Sequence, residues 1–299
     1  MNTTSRRNIL TGFGSMAALG SIRADEAATP IARKGNIKQV IAAWPFMKGA
    51  GWTHAQLIQH AQNLGVAGVE LFSAEELPLL KGTGLVCAAT RTHSFVRGMN
   101  NKGHHPECFA ALEKAIAATG AAGFPNVMTF TGMADTSDQE NGSVVSLEEG
   151  TKNCIEGFKK MARFAKKHKV TMVLEPLNSR ATAEMKGHPG YQGDHIDYCV
   201  EIVRAVSSPN FKVLFDAYHV QIMDGDLVTR IHDHKDFIGH VQIAGNPGRG
   251  EIGADQEINY RAVMKALLDI KYQGYIGHEW IPTGDALTGL KEAIEICDL

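Results

Sequence analysis

The chain has 299 residues and a mass of 32.4 kDa, a size that α/β barrels commonly reach as one domain. Hydrophobic residues make up 44% and charged residues 21%, which excludes a disordered chain, a collagen-like repeat and a coiled coil. The formal net charge of −2 provides no overall field toward nucleic acid or an anionic membrane, so a small-molecule partner is the better expectation.

Residues 1–36 differ in composition from the rest and predict an export signal followed by a linker. Arg6 and Arg7 precede a Gly/Ala-rich apolar stretch at 11–20, which is too short for a span of roughly 20 apolar residues. The arginine pair resembles a twin-arginine signal and predicts a periplasmic protein with no membrane attachment after export. The alternative is a disordered tail in which two arginines are adjacent by chance.

From Ile37 onward, short apolar runs alternate with segments of helical period, which indicates a parallel sheet with crossover helices. Eight strands are predicted, at 39–44, 68–72, 85–89, 126–131, 170–175, 212–216, 238–243 and 275–280. Helical patterns are centred on 57–64, 109–122, 154–165, 194–206, 227–232, 258–268 and 286–296. Thr53 and Ser146 begin patterns typical of capping boxes.

The number and spacing of these units favour a single (β/α)8 barrel over residues 37–299. No Gly-x-Gly-x-x-Gly follows the first strand, so an open nucleotide-binding sheet lacks its usual motif. Five cysteines are widely spaced and lie outside CxxC pairs, which predicts buried thiols.

Four successive strands end in an oxygen donor: Glu175, Asp216, Gln242 and Glu279. A single such residue commonly caps the following helix. Since the carboxyl ends of adjacent barrel strands lie under about 5 Å apart, four of them are expected to converge on one patch. Three carboxylates at contact distance repel one another unless a cation neutralises them. The donor set predicts a divalent cation, most simply Mg²⁺ or Mn²⁺, with Zn²⁺ and Co²⁺ as open alternatives.

Further side chains are candidates for a ligand pocket around this patch. His219 lies three residues after Asp216, and Arg249 lies on a Gly/Pro-rich loop where its guanidinium could bind a carboxylate through two hydrogen bonds. The alternative for Arg249 is a solvated ion pair with Glu251. His93 is a candidate substrate contact or a structural histidine near the rim.

Trp44, at the end of the first predicted strand, is a further pocket candidate. Alternation places His240 on the same face as Gln242 but one layer deeper, where it could orient that amide.

Four segments together resemble the hydroxypyruvate isomerase family of the xylose isomerase-like TIM barrels, which also include ketose 3-epimerases. They are Leu-Glu-Pro-Leu-Asn-Ser at 174–179, Phe-Asp-Ala-Tyr-His-Val-Gln at 215–221, Gly-His-Val-Gln-Ile-Ala at 239–244 with Pro-Gly-Arg at 247–249, and Gly-His-Glu at 277–279. The first half of the barrel and the export signal match that family less well.

The resemblance implies metal ligands at Glu175, Asp216, Gln242 and Glu279, and paired catalytic glutamates at Glu175 and Glu279. It also implies substrate contacts at His219 and Arg249. The expected activity is metal-dependent isomerisation of hydroxypyruvate to tartronate semialdehyde, or of a related keto sugar acid, by proton transfer through an enediolate.

Two other functions remain open in the sequence. An exported barrel could bind a sugar or sugar acid without converting it. An apurinic-site endonuclease shares this barrel ancestry, but it would require several zinc ions held by multiple histidines and a basic groove for DNA. Assembly with further copies of the chain is also left open.

Overall fold

The computed structural model describes residues 34–299, so the predicted export signal and linker at 1–36 lie outside the described residues except for positions 34–36. The backbone nitrogens of Lys34 and Gly35 donate to the carboxylate of Asp298, which joins the two ends of the barrel domain. Within the described part of the chain, no helix is both long and apolar enough to cross a membrane.

Nine short parallel strands form one sheet in the order β3-β2-β1-β9-β8-β7-β6-β5-β4. They are β1 Lys38–Ala42, β2 Gly68–Glu70, β3 Val86–Cys87, β4 Ala89–Thr90, β5 Asn126–Thr129, β6 Thr171–Leu174, β7 Phe211–Asp216, β8 Ile238–Ile243 and β9 Tyr275–His278. Only Ala88 separates β3 from β4, and its nitrogen donates to Val69 of β2. The two segments are therefore one interrupted strand, and the predicted (β/α)8 barrel is confirmed.

Nine α-helices lie among the described residues, most of them around the outside of the barrel. They are α1 Ala43–Gly49, α2 His54–Leu64, α3 His105–Ala122, α4 Leu147–His168, α5 Ile196–Val206, α6 Ala217–Met223, α7 Leu227–Asp233, α8 Tyr260–Asp269 and α9 Ala286–Cys297. The predicted capping box at Thr53 is confirmed, and the Ser146 hydroxyl accepts from the Glu149 nitrogen at the start of α4.

Two short helices were not predicted, and both follow strands. The predicted first strand at 39–44 ends at Ala42, so Trp44 lies on α1 rather than at a strand end. Pro45 is tolerated there because the first turn of a helix has no internal partner for its backbone nitrogen. Helix α6 begins directly after β7, where the Asp216 carboxylate accepts from the Tyr218 nitrogen.

Successive side chains along the strands point alternately into two apolar layers. One layer packs between the sheet and the helices. The smaller layer fills the barrel interior and consists of Ala42, Leu71, Ala89, Met128, Phe130, Val173, Leu177, Tyr191 and Leu214. All five cysteines are free and buried, as predicted. This packed interior forms the floor beneath the carboxyl ends of the strands.

Candidate active site

The four predicted oxygen donors all lie at the carboxyl edge of the barrel. Glu175 follows β6, Asp216 ends β7, Gln242 lies in β8 and Glu279 follows β9, and none is more than 3% exposed. The strand register pairs Asp216 with Gln242, so these two side chains lie on the same face of the sheet.

Three of the four donors have a buried oxygen without a hydrogen-bond partner: Glu175 Oε1, Asp216 Oδ2 and Gln242 Oε1. We call Glu175, Asp216 and Gln242 the acceptor cluster. One carboxylate oxygen each of Glu175 and Asp216 and one ring nitrogen of His219 lie within 4.8 Å of one another. Buried acceptors without donors are costly, and a hard divalent cation would satisfy them. The residues present therefore fit a divalent cation.

Glu279 differs from the acceptor cluster because both of its oxygens already accept a hydrogen bond. Trp44 Nε1 donates to Oε1 at 2.7 Å, and Arg249 Nη2 donates to Oε2 at 2.8 Å. The same guanidinium nitrogen lies 3.9 Å from Asp216 Oδ2. For Glu279 to bind a cation, one of its two donors would have to give way, so its role as a ligand stays a prediction.

The Arg249 guanidinium is a buried positive charge at this edge, and backbone contacts hold it there. The backbone nitrogen of Arg249 donates to the Gly245 carbonyl at 2.7 Å, and the backbone carbonyl of Arg249 accepts from the Ile281 nitrogen at 2.8 Å. Nη1 donates to the Met185 carbonyl at 2.9 Å, and Nε is buried without a partner. The alternative pairing with Glu251 is wrong, since that carboxylate binds Thr283 and Gly284 on a neighbouring loop.

Burial and mutual repulsion raise the pKa values of the three carboxylates. Burial is the largest cause for Glu175, whose pKa lies well above its usual value, with further contributions from Glu279 and Asp216. Burial and Glu279 raise the pKa of Asp216 to about 7, against the lowering effect of Arg249. Burial also raises the pKa of Glu279, against the lowering effects of Arg249 and Trp44. The single guanidinium therefore does not fully compensate the three acids.

We expect the metal-free protein to lose stability as the pH rises from about 4 to about 7. In this range the unfolded Asp216 carboxyl, with a usual pKa of 3.8, has released its proton while the folded one retains it. The native state then binds more protons, and the free energy of unfolding falls with rising pH. In denaturant unfolding with a chelator present, the free energy of unfolding of Asp216→Asn should exceed that of the wild type by on the order of 2 kcal/mol at pH ~8.

The advantage of this variant should disappear below pH ~3, where the carboxyl is largely protonated in both the folded and the unfolded state. The exposed Asp233→Asn change serves as the control and should leave the pH dependence unchanged. A difference in the free energy of unfolding between Asp216→Asn and the wild type that stays constant across this pH range would contradict the raised pKa of Asp216.

The hydrogen bonds of His219 determine which of its ring nitrogens carries the proton. The backbone nitrogen of Asn178 donates to Nδ1 at 3.0 Å, and the Asn178 side-chain amide lies 2.7 Å from the same atom. Nδ1 is therefore unprotonated, and burial keeps the ring neutral by lowering its pKa well below the usual value. The proton lies on Nε2, 3.6 Å from Asp216 Oδ2, so this atom is a donor for a ligand oxygen rather than a metal ligand.

His93 lies near the mouth, but both of its nitrogens have partners within the protein. Nδ1 lies 3.0 Å from the Ser94 carbonyl, and Nε2 lies 2.8 Å from the Thr129 hydroxyl. Its ring also packs edge-on against Phe130. A substrate contact through His93 would require one of these bonds to break, and that role stays a prediction.

A segment that sequence reasoning missed reaches over this edge between β6 and α5. The carbonyls of Met185 and Lys186 accept from Arg249 and from the Tyr218 hydroxyl, respectively. The His188 ring lies 4.3 Å from Phe95, and burial lowers its pKa to about 4. The segment has no helical or strand period, so only its contacts identify it as part of the site.

Glu70 was also missed. It ends β2, is fully buried and accepts hydrogen bonds from His240 and Gln242. It lies in the middle of the predicted strand at 68–72, and a charged side chain inside that otherwise apolar run was the available signal.

Residues 50–298 match the model of a family described as the xylose isomerase-like TIM barrel. A Mus musculus protein named provisionally as a hydroxypyruvate isomerase is 28% identical over 263 residues, which cover 82% of this chain and 92% of that protein.

Two bacterial relatives match over shorter segments. The hydroxypyruvate isomerase of Escherichia coli (strain K12) is 31% identical over 146 residues, 49% of this chain and 54% of that protein. The 2-oxo-tetronate isomerase of Cupriavidus necator is 36% identical over 121 residues, 40% of this chain and 44% of that protein. The aligned segments thus span about half the length of these two relatives.

Among solved structures, a protein described as an AP endonuclease, family 2, from Brucella melitensis is similar over 85% of this chain and 97% of its own. The TM-score is 0.73 and the sequence identity is 27%. The comparisons thus contain relatives named for two different activities.

Proposed function

The chain belongs to the xylose isomerase-like TIM barrel family, and from this premise we propose that it interconverts hydroxypyruvate and tartronate semialdehyde or a related keto sugar acid. The relatives named as hydroxypyruvate and 2-oxo-tetronate isomerases support an isomerase of small keto acids. The choice among such substrates, the cation and the proton-transfer mechanism belong to the proposal.

The observation that carries the proposal is the pair of buried glutamates at the mouth. Glu175 and Glu279 follow strands three positions apart around the barrel, and both have raised pKa values. An isomerisation moves a proton between adjacent carbons, which needs one group to remove it and one to return it. Carboxyls whose pKa values are raised by burial suit both tasks.

The acceptor cluster would hold the cation, with Glu279 as a further candidate ligand. When bound, a divalent cation supplies Lewis-acid stabilisation of the negative charge on an enediolate. Without it, Arg249 provides positive charge beside Asp216 and Glu279.

Two further residues would orient the substrate. The Nε2 proton of His219 is available to a hydroxyl or carbonyl oxygen because Asn178 occupies the other ring nitrogen. The unpartnered Nε of Arg249 is available to a carboxylate or hydroxyl at the far end of the substrate. The Met185 carbonyl accepts from Arg249 Nη1, and the His188 ring lies 5.8 Å from the His219 ring between centroids, so both residues lie beside the two proposed substrate contacts.

The name of the Brucella melitensis relative is an argument for an endonuclease activity. The group of candidate metal ligands found among residues 34–299 contains one histidine, His219. Its tautomer makes the inward nitrogen a donor, which does not suit a zinc cluster held by several histidines. The balanced charge of −2 also offers no electrostatic attraction to DNA.

Proton exchange at the substrate carbon tests the proposal and separates catalysis from simple binding. Incubation of the protein with Mn²⁺ and hydroxypyruvate in deuterated water should produce tartronate semialdehyde and incorporate deuterium at the reacting carbon. The same assay with 2-oxo-tetronate tests a longer keto acid. Tight binding of either compound without exchange would instead favour a binding protein.

From the sequence alone, we also propose that the twin-arginine pattern at 6–7 directs the chain to the periplasm. Fusion of residues 1–36 to a reporter, followed by cell fractionation, tests this localisation.

A further inference from the structure

Glu70 reaches across the interior of the barrel from β2 to β8. Its Oε1 accepts from Gln242 Nε2 at 2.8 Å, and its Oε2 accepts from His240 Nε2 at 2.5 Å. All three side chains are fully buried. Strands β1 and β9 lie between β2 and β8, so these contacts pass through the barrel rather than between neighbouring strands.

The space for this carboxylate comes from Gly277 on β9. A Cβ atom at position 277 would collide with both carboxylate oxygens of Glu70. Gly277 is paired in register with Gln242, the residue that Glu70 binds. Any larger residue at 277 would displace the carboxylate from its two donors.

Glu70 determines which end of the Gln242 amide faces away from it, toward the side of the sheet that carries Asp216. A carboxylate accepts hydrogen bonds, so the amide nitrogen of Gln242 must face Glu70. The amide oxygen then lies on the opposite side, where it is buried and has no hydrogen-bond partner. Gln242 is in register with Asp216, which places this oxygen on the side of the sheet that carries the other free acceptors.

We infer that Glu70 is a positioning residue that holds Gln242 with its oxygen, rather than its amide nitrogen, toward the bound cation. The inference rests on the proposed function and concerns the same site. An amide turned by half a turn would present N–H groups that repel a cation. Loss of such an orienting partner typically weakens metal binding by about 10- to 100-fold.

The test measures the dissociation constant of Mn²⁺ alone, by titration followed by electron paramagnetic resonance. In Glu70→Gln the new side chain has one donor and one acceptor, so it no longer enforces one orientation of Gln242. We expect Mn²⁺ to bind about 10-fold or more weakly to this variant than to the wild type.

The exchanged pair Glu70→Gln with Gln242→Glu provides a rescue. The amide at 70 can then donate to the carboxylate at 242 and accept from His240, which leaves one carboxylate oxygen at 242 free for the cation. This double variant should recover most of the lost Mn²⁺ affinity.

Thr119→Val is the matched control, because it removes the buried hydrogen bond from Thr119 to Thr90 outside the candidate site. It should lower the melting temperature without changing the Mn²⁺ affinity. If Glu70 contributed to stability alone, Glu70→Gln would likewise lower the melting temperature and leave the Mn²⁺ affinity unchanged.

The possible results distinguish the two proposals. Equal Mn²⁺ affinity of the wild type and Glu70→Gln would overturn the positioning role while leaving the metal site in place. An exchanged pair that binds no better than Glu70→Gln would also overturn it. Absence of Mn²⁺ binding to the wild type would overturn the metal site and this inference together.

Discussion

Replacing Glu279 by glutamine is expected to reduce turnover by about 10²- to 10⁴-fold, the range that one general acid or base contributes. An amide can neither remove nor return a proton at the substrate carbon. It retains the size of the side chain and one of the hydrogen bonds to Trp44 and Arg249, so the fold should persist. Turnover of hydroxypyruvate and deuterium incorporation should fall together.

Two additional measurements assign this loss to proton transfer. Circular dichroism and cooperative unfolding should show an intact barrel, and Mn²⁺ titration should show whether the cation still binds. Loss of turnover with the cation bound supports Glu279 as acid or base. Glu292→Gln on the exposed face of α9 is the matched control and should retain full activity. Wild-type turnover in Glu279→Gln would remove this residue from the mechanism.

Exhaustive removal of divalent cations is expected to silence the enzyme reversibly. The acceptor cluster would then lose the positive charge that compensates its buried oxygens. Activity should fall to background after chelation and return when Mg²⁺ or Mn²⁺ is added. The relative activities with these ions and with Zn²⁺ and Co²⁺ would identify the preferred cation.

Thermal unfolding provides a readout of the cation that does not depend on catalysis. A ligand at 100 times its dissociation constant stabilises the folded state by about 2.7 kcal/mol, so Mn²⁺ should raise the melting temperature by several degrees. Asp216→Asn should reduce this increase, because it removes a negative charge from the acceptor cluster. Full activity in a verified metal-free sample would rule out cation-assisted isomerisation.

The acceptor cluster illustrates what could be predicted from a linear pattern. Glu175, Asp216 and Gln242 each follow or end an apolar run of strand length, and parallel strands of a barrel end at the same edge. Once the alternating pattern indicates a barrel, their convergence follows from strand spacing alone. The first predicted strand, at 39–44, was wrong at its end, because Ala43 and Trp44 form the start of α1 instead.

The partners of these residues could not be predicted in the same way. The sequence leaves two partners open for Arg249, namely Glu251 two residues away and a ligand, but in the structure it binds Glu279, which follows a different strand. The tautomer of His219 is set by the hydrogen bond from the backbone nitrogen of Asn178, 41 residues earlier in the chain. Such pairs depend on loop conformation, for which apolar periodicity contains no information.

By itself, the sequence determined the barrel and the edge at which its four oxygen donors lie, because strand period and strand order are local and repeated features. Only the tertiary structure decided how those donors are arranged. Glu70 and Gln242 are 172 positions apart in the sequence, and their contact requires glycine at 277, where a Cβ atom would collide with the Glu70 carboxylate. Hydrogen-bond direction and charge compensation are set by distance in space, and residues far apart in the chain become neighbours only after the barrel closes.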